Sequence, residues 1–341
     1  MTVMVTGGCG FIGAHLVRWL LTHTDERVIN IDALTYAAKP AALDGLTDEA
    51  RRRYTFVHAD VVDQAALAAL LDLHQPRALL HLAAETHVDR SIHSPEPFWH
   101  TNVQGTLAVL EAVRGWLARQ PGRSAGFRLL QVSTDEVYGD LGSDGPPARE
   151  EDPWRPGSPY AASKASADHM ADAWFRTWAV PVIVSHCSNN YGPWQYPEKL
   201  IPVVLRHALN GLPIPLYAQG EQVRDWLHVD DHVDALWYLL QHGRPGEHYN
   251  IGADNPRRNC DLVRQLCELM DELSPATAPL NGHFSLVTSV SDRPGHDWRY
   301  ALDSSKLRAL GWRPRREFEQ GLRDTVAFYL THFGEKRHEK A

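Results

Sequence analysis

The chain is poor in cysteine. Only Cys9, Cys187, Cys260 and Cys267 occur in 341 residues, and no pair has the spacing of a zinc site or a disulfide framework. They read as small buried fillers in a reducing compartment. No apolar run approaches the ~18 residues of a membrane span. The opening Thr2-Val3-Met4-Val5-Thr6 runs straight into a strand, without the basic region and apolar core of a signal peptide. A cytoplasmic protein with no membrane partner is expected. Strong positive charge is missing too. On a chain of net charge −8, the only dense basic runs are Arg51-Arg52-Arg53 and Arg313 to Arg316. These suit solvated helix ends or loops better than a nucleic-acid track. Histidine is plentiful, but none form an HExxH cluster. His81, His87 and His93 are spaced too far apart to share one ion, whether on a helix or on a strand. No metal site is expected.

What is present is an alternation. Short apolar runs at Val3–Thr6, Arg27–Ile31, Tyr54–His58, Ala78–Leu82, Phe127–Val132 and Pro181–His186 read as strands. Between them lie helix-length segments such as Phe11–Thr22, Gln64–Leu73, Thr101–Arg119 and Pro159–Trp178. Strict strand–helix alternation implies right-handed crossovers and a parallel sheet covered on both faces. The expected fold is therefore α/β: a doubly wound parallel (Rossmann) sheet with a smaller α/β C-terminal substrate domain. After about residue 190 prolines multiply (Pro193, Pro197, Pro202, Pro213, Pro215) and the segments shorten, as they do in edges and loops. The division expected is residues 1–190 for the nucleotide domain, with a return segment at about 226–252, and 191–341 for the substrate domain. Gly334 to Ala341 are polar and expected to fray.

Gly8-x-Gly10-x-x-Gly13 follows the first strand and opens the first helix. Glycine there permits a tight turn and brings backbone N–H groups to a pyrophosphate seated on the helix N-terminus. Asp32 follows at the end of the second strand, where a carboxylate can accept hydrogen bonds from ribose hydroxyls and would repel a 2′-phosphate. NAD is the cofactor expected. The alternative is a glycine turn with an unrelated surface Asp.

Tyr160 and Lys164 are four residues apart near the start of a helix and so share a face. A neighbouring ammonium would favour the phenolate. Ser133-Thr134 ends the fifth strand, at the edge of a doubly wound sheet where ligands bind. Directly after come Asp135 and Glu136, two side-by-side carboxylates, which either do acid/base work or cap the following turn.

With these motifs the chain resembles the extended short-chain dehydrogenase/reductase family, and within it the dTDP-glucose 4,6-dehydratases. The resemblance rests on Ser133-Thr134-Asp135-Glu136-Val137-Tyr138-Gly139, Leu82 to Ser91, Ser188 to Pro193, Pro197 to Pro202, Arg224 to Asp231 and Asp292 to Asp297. It implies Thr134, Asp135, Glu136, Tyr160 and Lys164 as the catalytic set. For NAD it implies Gly7, Gly10, Phe11, Ile12, Gly13 and Asp32, then Leu34, Thr35, Asp60, Val61, Leu82 and Ala83. Ala84, Thr86, Thr101 and Asn190 complete that set, with Tyr160 and Lys164 serving twice. For the nucleotide sugar it implies Thr86, Asn189, Glu198, Lys199, Leu200 and Pro215, together with Tyr217, Arg224, Asn259, Asp292, Arg293 and His296. Arginine suits bidentate contact with phosphate, although either arginine alone is as well explained by a surface ion pair.

The implied reaction converts dTDP-glucose to dTDP-4-keto-6-deoxyglucose. Tyr160 takes the C4 hydroxyl proton during oxidation, Glu136 removes the C5 proton, and Asp135 protonates the leaving C6 hydroxyl. Retained NADH then reduces C6. A 4-epimerase would need no acid for a leaving group at C6, and a silent NAD-binding scaffold would need no Tyr160–Lys164 pair; another nucleotide-sugar 4,6-dehydratase would share every step. Two segments depart from the resemblance, Tyr36-Ala37-Ala38-Lys39-Pro40 and Ser274 to Ser285, and both bear on the nucleotide base more than on the reaction. The apolar and aromatic residues of Thr101–Arg119 and Pro159–Trp178, Trp174 and Trp178 included, suggest a homodimer through paired helices.

Overall fold

The structure, a computed structural model, describes residues 1–120 and 122–338, the side chains of 334–338 excepted. Its strands are β1 (Thr2–Thr6), β2 (Arg27–Asp32), β3 (Tyr54–His58), β4 (Ala78–His81), β5 (Arg128–Thr134), β6 (Val182–Cys187), β7 (Asn189–Tyr191), β8 (Ile214–Tyr217), β9 (Val223–His228), β10 (His248–Ile251), β11 (Pro256–Arg258) and β12 (Val287–Val290). Its helices are α1 (Phe11–His23), α2 (Asp48–Arg53), α3 (Gln64–His74), α4 (Val88–His93), α5 (Glu96–Phe98), α6 (Gly105–Ala118), α7 (Pro159–Trp178), α8 (Leu200–Leu209), α9 (Val229–His242), α10 (Asn259–Leu273), α11 (Ser305–Leu310) and α12 (Phe318–His338).

Seven strands form one parallel sheet in the order β10-β6-β5-β4-β1-β2-β3. Both faces are buried because neighbouring side chains on a strand point to opposite sides. Val3, Val5, Val28, Ala78 and Leu80 pack on one face with α1 and α9, whereas Met4, Ile29, Leu79 and Leu129 pack on the other with α3 and α6. Each fully buried Val, Leu or Ile contributes roughly 1.5–3 kcal/mol, so the central strands hold the frame on which the site is mounted. The chain winds outward from β1 to β2 and β3, then returns to β4 on the other side of β1. The reversal opens a crevice at the C-terminal ends of β1 and β4, where such sheets bind ligands.

A second layer follows β7. A three-stranded sheet, β11-β9-β7, and a parallel β8–β12 pair are packed by α8, α10 and α12 through Leu205, Leu262, Leu266 and Leu322. The chain then rejoins the large sheet: α9 packs against α1, and β10 pairs with β6 as an edge strand. Trp226 and Leu227 stay behind in β9 of the small sheet.

Three sequence expectations need correction. The helix expected from Thr101 begins as a π-helical turn, Trp99–Gln104, before α6 takes over. Cys260, expected to be buried, is partly exposed at the start of α10, whereas Cys9, Cys187 and Cys267 are buried. The tail expected to fray from Gly334 continues α12 to His338, and the rest of it lies outside the described residues.

Candidate active site

The glycine turn is shaped by close approach. Gly7 has φ 71°, its N–H donates to the Ile31 carbonyl at 2.8 Å, and a Cβ there would lie 2.7 Å from the Ala83 nitrogen. At Gly13 a Cβ would run into the Gly7 carbonyl. The turn can therefore fold only without side chains, and it leaves the N-terminus of α1 facing the crevice. Asp32 is fixed at the crevice lip by two backbone donors, Cys9 N–H and Leu34 N–H, both at 2.8 Å.

One long cavity runs from this lip to the tip of β5. Gly7, Gly10, Phe11, Ile12, Gly13, Asp32 and Thr35 line its first part, and Asp60, Val61, Leu82, Ala83, Ala84, Thr86, Thr101 and Asn190 its middle. Leu34 is the exception. Its side chain is exposed and lies off the cavity wall, because the turn that delivers its N–H to Asp32 carries it outward at φ 52°. The donor set and the bare glycine cradle fit an adenine dinucleotide with its pyrophosphate on α1.

At the far end stand Thr134, Asp135, Glu136, Tyr160 and Lys164. α7 is started by Ser158, whose hydroxyl accepts from Ala161 N–H at 3.1 Å, with Pro159 in the first turn. Tyr160 is buried and its backbone N–H donates to Ser91 Oγ at 3.2 Å. The π-helical turn supplies Asn102, which donates to Ser163 Oγ and to the Glu85 carbonyl, tying α7 to the loop after β4. π turns often occur at functional sites.

Burial pushes the Tyr160 phenol well above the usual range and Glu136 adds to this, with a hydrogen bond to Thr134 offsetting part. Lys164 directs its ammonium to the Val132 carbonyl, 2.7 Å away. Burial and Glu136 thus both favour the protonated phenol.

The two carboxylates differ. Burial pushes Asp135 well above the usual carboxylate range, and the neighbouring Glu136 pushes it further. One of its buried oxygens has no hydrogen-bond partner among the described residues. Burial raises Glu136 as well, but Arg293, Lys199 and Arg224 pull it back. Both carboxyls are thus pushed toward the neutral form by burial, Asp135 the more strongly, while three cations oppose the push on Glu136.

Of the residues implied for a nucleotide sugar, Thr86, Asn189 and Lys199 line the cavity. Lys199 donates to the Thr86 carbonyl, and Glu198 pairs with Arg90 at 3.3 Å and accepts from Tyr36. Leu200, Pro215, Tyr217, Arg224, Asn259, Asp292, Arg293 and His296 are not in the cavity wall. Arg293 pairs with Asp89 at 2.7 Å, and His296 meets Asp292 at 2.6 Å. Leu200 opens α8, Pro215 and Tyr217 lie in β8, and Asn259 opens α10 with its side-chain oxygen buried and unpartnered. Arg224 is held by the chain itself. Its guanidinium lies over the Tyr300 ring and donates to the carbonyls of Val223, Asp297 and Trp298. Sequence reasoning also passed over Glu85, Gln195, Tyr196 and Cys187 in the wall, and Asp168 behind it. Only Asp168 had a signal, its place one turn after Lys164 on the same helix.

Among the described residues no group of His, Cys, Asp and Glu is arranged to hold a metal ion, and no helix is long and apolar enough to cross a membrane. Comparison with known proteins extends over almost the whole chain. Residues 4–325 match the family model described as GDP-mannose 4,6 dehydratase. The chain is 47% identical to dTDP-glucose 4,6-dehydratase 1 of Escherichia coli K12, covering 97% of this chain and 93% of that one. It is 50% identical to a probable dTDP-glucose 4,6-dehydratase of Sinorhizobium fredii, with the same coverages. Among solved structures, DesIV, the dTDP-glucose 4,6-dehydratase of Streptomyces venezuelae crystallised with NAD, superposes with a TM-score of 0.88 at 42% identity and covers 98% of each chain. A UDP-glucose 4-epimerase of Thermus thermophilus, also in complex with NAD, gives a TM-score of 0.82 at 29% identity, covering 96% of this chain and 99% of that one. The epimerase shares the frame, while the dehydratases share far more of the sequence laid on it, and the chain belongs to the dTDP-glucose 4,6-dehydratases, within the family described as GDP-mannose 4,6 dehydratase.

Proposed function

We propose that the chain dehydrates dTDP-glucose to dTDP-4-keto-6-deoxyglucose with NAD bound throughout. The observation that carries this reading is the unequal setting of Asp135 and Glu136 beside Tyr160. Elimination across C5 and C6 needs a base for the C5 proton and an acid for the departing oxygen. Glu136, facing three cations, serves as the base. Asp135, buried with an unpartnered oxygen, serves as the acid.

Tyr160 holds and returns the proton at the C4 oxygen, and Thr134 steadies its hydroxyl. Lys164 holds fixed positive charge behind it. When bound, the nicotinamide supplies the hydride acceptor for C4 and donor for C6, and its positive ring favours the phenolate. Gly7, Gly10 and Gly13 would take the pyrophosphate, Asp32 the adenosine ribose, and Thr86, Thr101 and Asn190 the middle of the cavity. Asn189, Lys199 and the other residues implied for the nucleotide sugar would take the nucleotide diphosphate, Arg293 by leaving Asp89. Residues 1–190 with about 226–252 form the cofactor domain in this reading, and 191–341 the nucleotide-sugar domain. A cytoplasmic homodimer is part of the reading. Trp99 on the π-helical turn, Leu107 on α6 and Trp178 at the end of α7 are exposed, an apolar surface suited to a second copy.

The test is incubation with dTDP-glucose. A nucleotide sugar lighter by one water, with the alkali-induced absorbance of a 4-keto-6-deoxy sugar, supports the reading. Unchanged sugar, or a C4 epimer of the same mass, opposes it.

A further inference from the structure

Asp168 is a fully buried carboxylate to which the reaction scheme gives no task. It lies one turn beyond Lys164 on α7, and both side chains reach β5. Asp168 accepts a short hydrogen bond from Ser133 Oγ, while Lys164 donates to the adjacent Val132 carbonyl. The same Asp168 oxygen lies 3.3 Å from His186 Nε2 on β6, and its other oxygen has no hydrogen-bond partner among the described residues. A carboxylate this deep is costly unless a cation offsets it. We propose that Asp168 is a positioning residue of the oxidation step: it keeps Lys164 a cation and pins the Ser133 hydroxyl, so that the tip of β5 meets Tyr160 in a fixed electrostatic setting.

The surroundings support this assignment. Lys164 faces Asp168 on its own helix, Cys187 on β6 and His81 on β4. Burial drives the ammonium down, and Asp168 is the largest influence opposing it. Asp168 faces His186, Lys164, Ser133 and Tyr138, and His186 in turn faces His248 on β10 and Glu150. Burial lowers His186, and its Nδ1 lies 3.1 Å from the Tyr138 hydroxyl. Trp154 packs its ring against both His186 and His248. Lys164 and Asp168 bring opposite charge into this buried cluster, each tied to β5 by its own hydrogen bond.

The inference rests on the assignment of Tyr160 and Lys164 to the oxidation, so the test has one readout that needs no turnover. Lysine side chains carrying ¹³C, with Lys164 assigned by its replacement, are titrated by NMR in the wild type and in Asp168→Asn. The Lys164 midpoint is expected to fall by about one to three pH units, the usual effect of a lost neighbouring countercharge. The alkaline limb of kcat should move the same way while KM for dTDP-glucose holds. His186→Gln, which keeps the carboxylate, should move neither. Should Asp168→Asn fold poorly, adding Lys164→Met should restore its stability, because the uncompensated charge is gone. A folded Asp168→Asn with an unmoved Lys164 midpoint overturns the proposal, as does a shift of equal size in His186→Gln or a double variant no more stable than Asp168→Asn. Wild-type protein that fails to act on dTDP-glucose would count against the proposed function alone.

Discussion

Asp135 and Glu136 are consecutive residues on the turn after β5, yet only Glu136 is drawn back toward ionisation by Arg293, Lys199 and Arg224 acting together. Asp135 feels Arg224 as well, but Glu136 and Asp225 push the other way. The surroundings thus treat two adjacent carboxyls unequally, as the proposed acid and base roles require.

Single substitutions should separate the two roles. Glu136→Gln should stop exchange of the C5 hydrogen with deuterated solvent, while the absorbance of reduced cofactor still accumulates. Asp135→Asn should allow that exchange but slow loss of water, by about 10²–10⁴-fold if it is the general acid. Both are read by NMR and rapid mixing. Equal losses in C5 exchange for the two variants would contradict the division.

Asp135 should also cost stability at neutral pH. Its folded pKa is raised, so the folded state binds more protons than the unfolded one, and stability falls as pH rises. The loss begins above the ordinary Asp value of 3.8 and grows upward from there. Asp135→Asn, which cannot ionise, should therefore melt higher than wild type at pH 7, with the gap shrinking toward pH 4. Melting curves across that range decide it; a variant that melts lower throughout is the opposite result.

The dinucleotide end is open to two further substitutions. Asp32→Ala removes the acceptor of the Cys9 and Leu34 N–H groups as well as the ribose contact. NAD affinity by calorimetry should weaken roughly 10- to 100-fold, the size of a lost charge-assisted hydrogen bond. Gly13→Ala would push a methyl into the Gly7 carbonyl. It should cost about 1–3 kcal/mol and abolish the rise in Tm that NAD gives the wild type.

Trp178 is 48% exposed, with the Arg114 guanidinium over its ring at 5.1 Å. Trp178→Glu should shift the protein toward a monomer in analytical ultracentrifugation. An unchanged sedimentation coefficient would place the contact between copies elsewhere.

Much of this was legible in the sequence because the pattern and the physics agree there. Burial on both faces makes β1, β2, β4, β5 and β6 largely apolar runs, and α7 has its cap, its first-turn proline and its length written in Ser158 to Trp178. Pairings across the fold were not legible. Nothing local says that the helix before Gly105 opens as a π turn, or that Asn102 reaches Ser163 on α7. Nor does local spacing give the partners of the charged groups. Four residues put Tyr160 and Lys164 on one helix face, but not the donation of the ammonium to the Val132 carbonyl. Nothing near Arg224 in the chain says that β9 brings it under the loop carrying Asp297 and Trp298. Leu34 was placed with its neighbours by position along the chain, and the turn around Asp32 turns its side chain outward.

The most direct test of the central claim follows one hydrogen. With dTDP-glucose deuterated at C4, the account predicts a 4-keto-6-deoxy product carrying the label at C6, because the cofactor is retained through all three steps. Label recovered at an inverted C4, with no loss of water, would make the chain an epimerase and contradict the roles of Asp135 and Glu136.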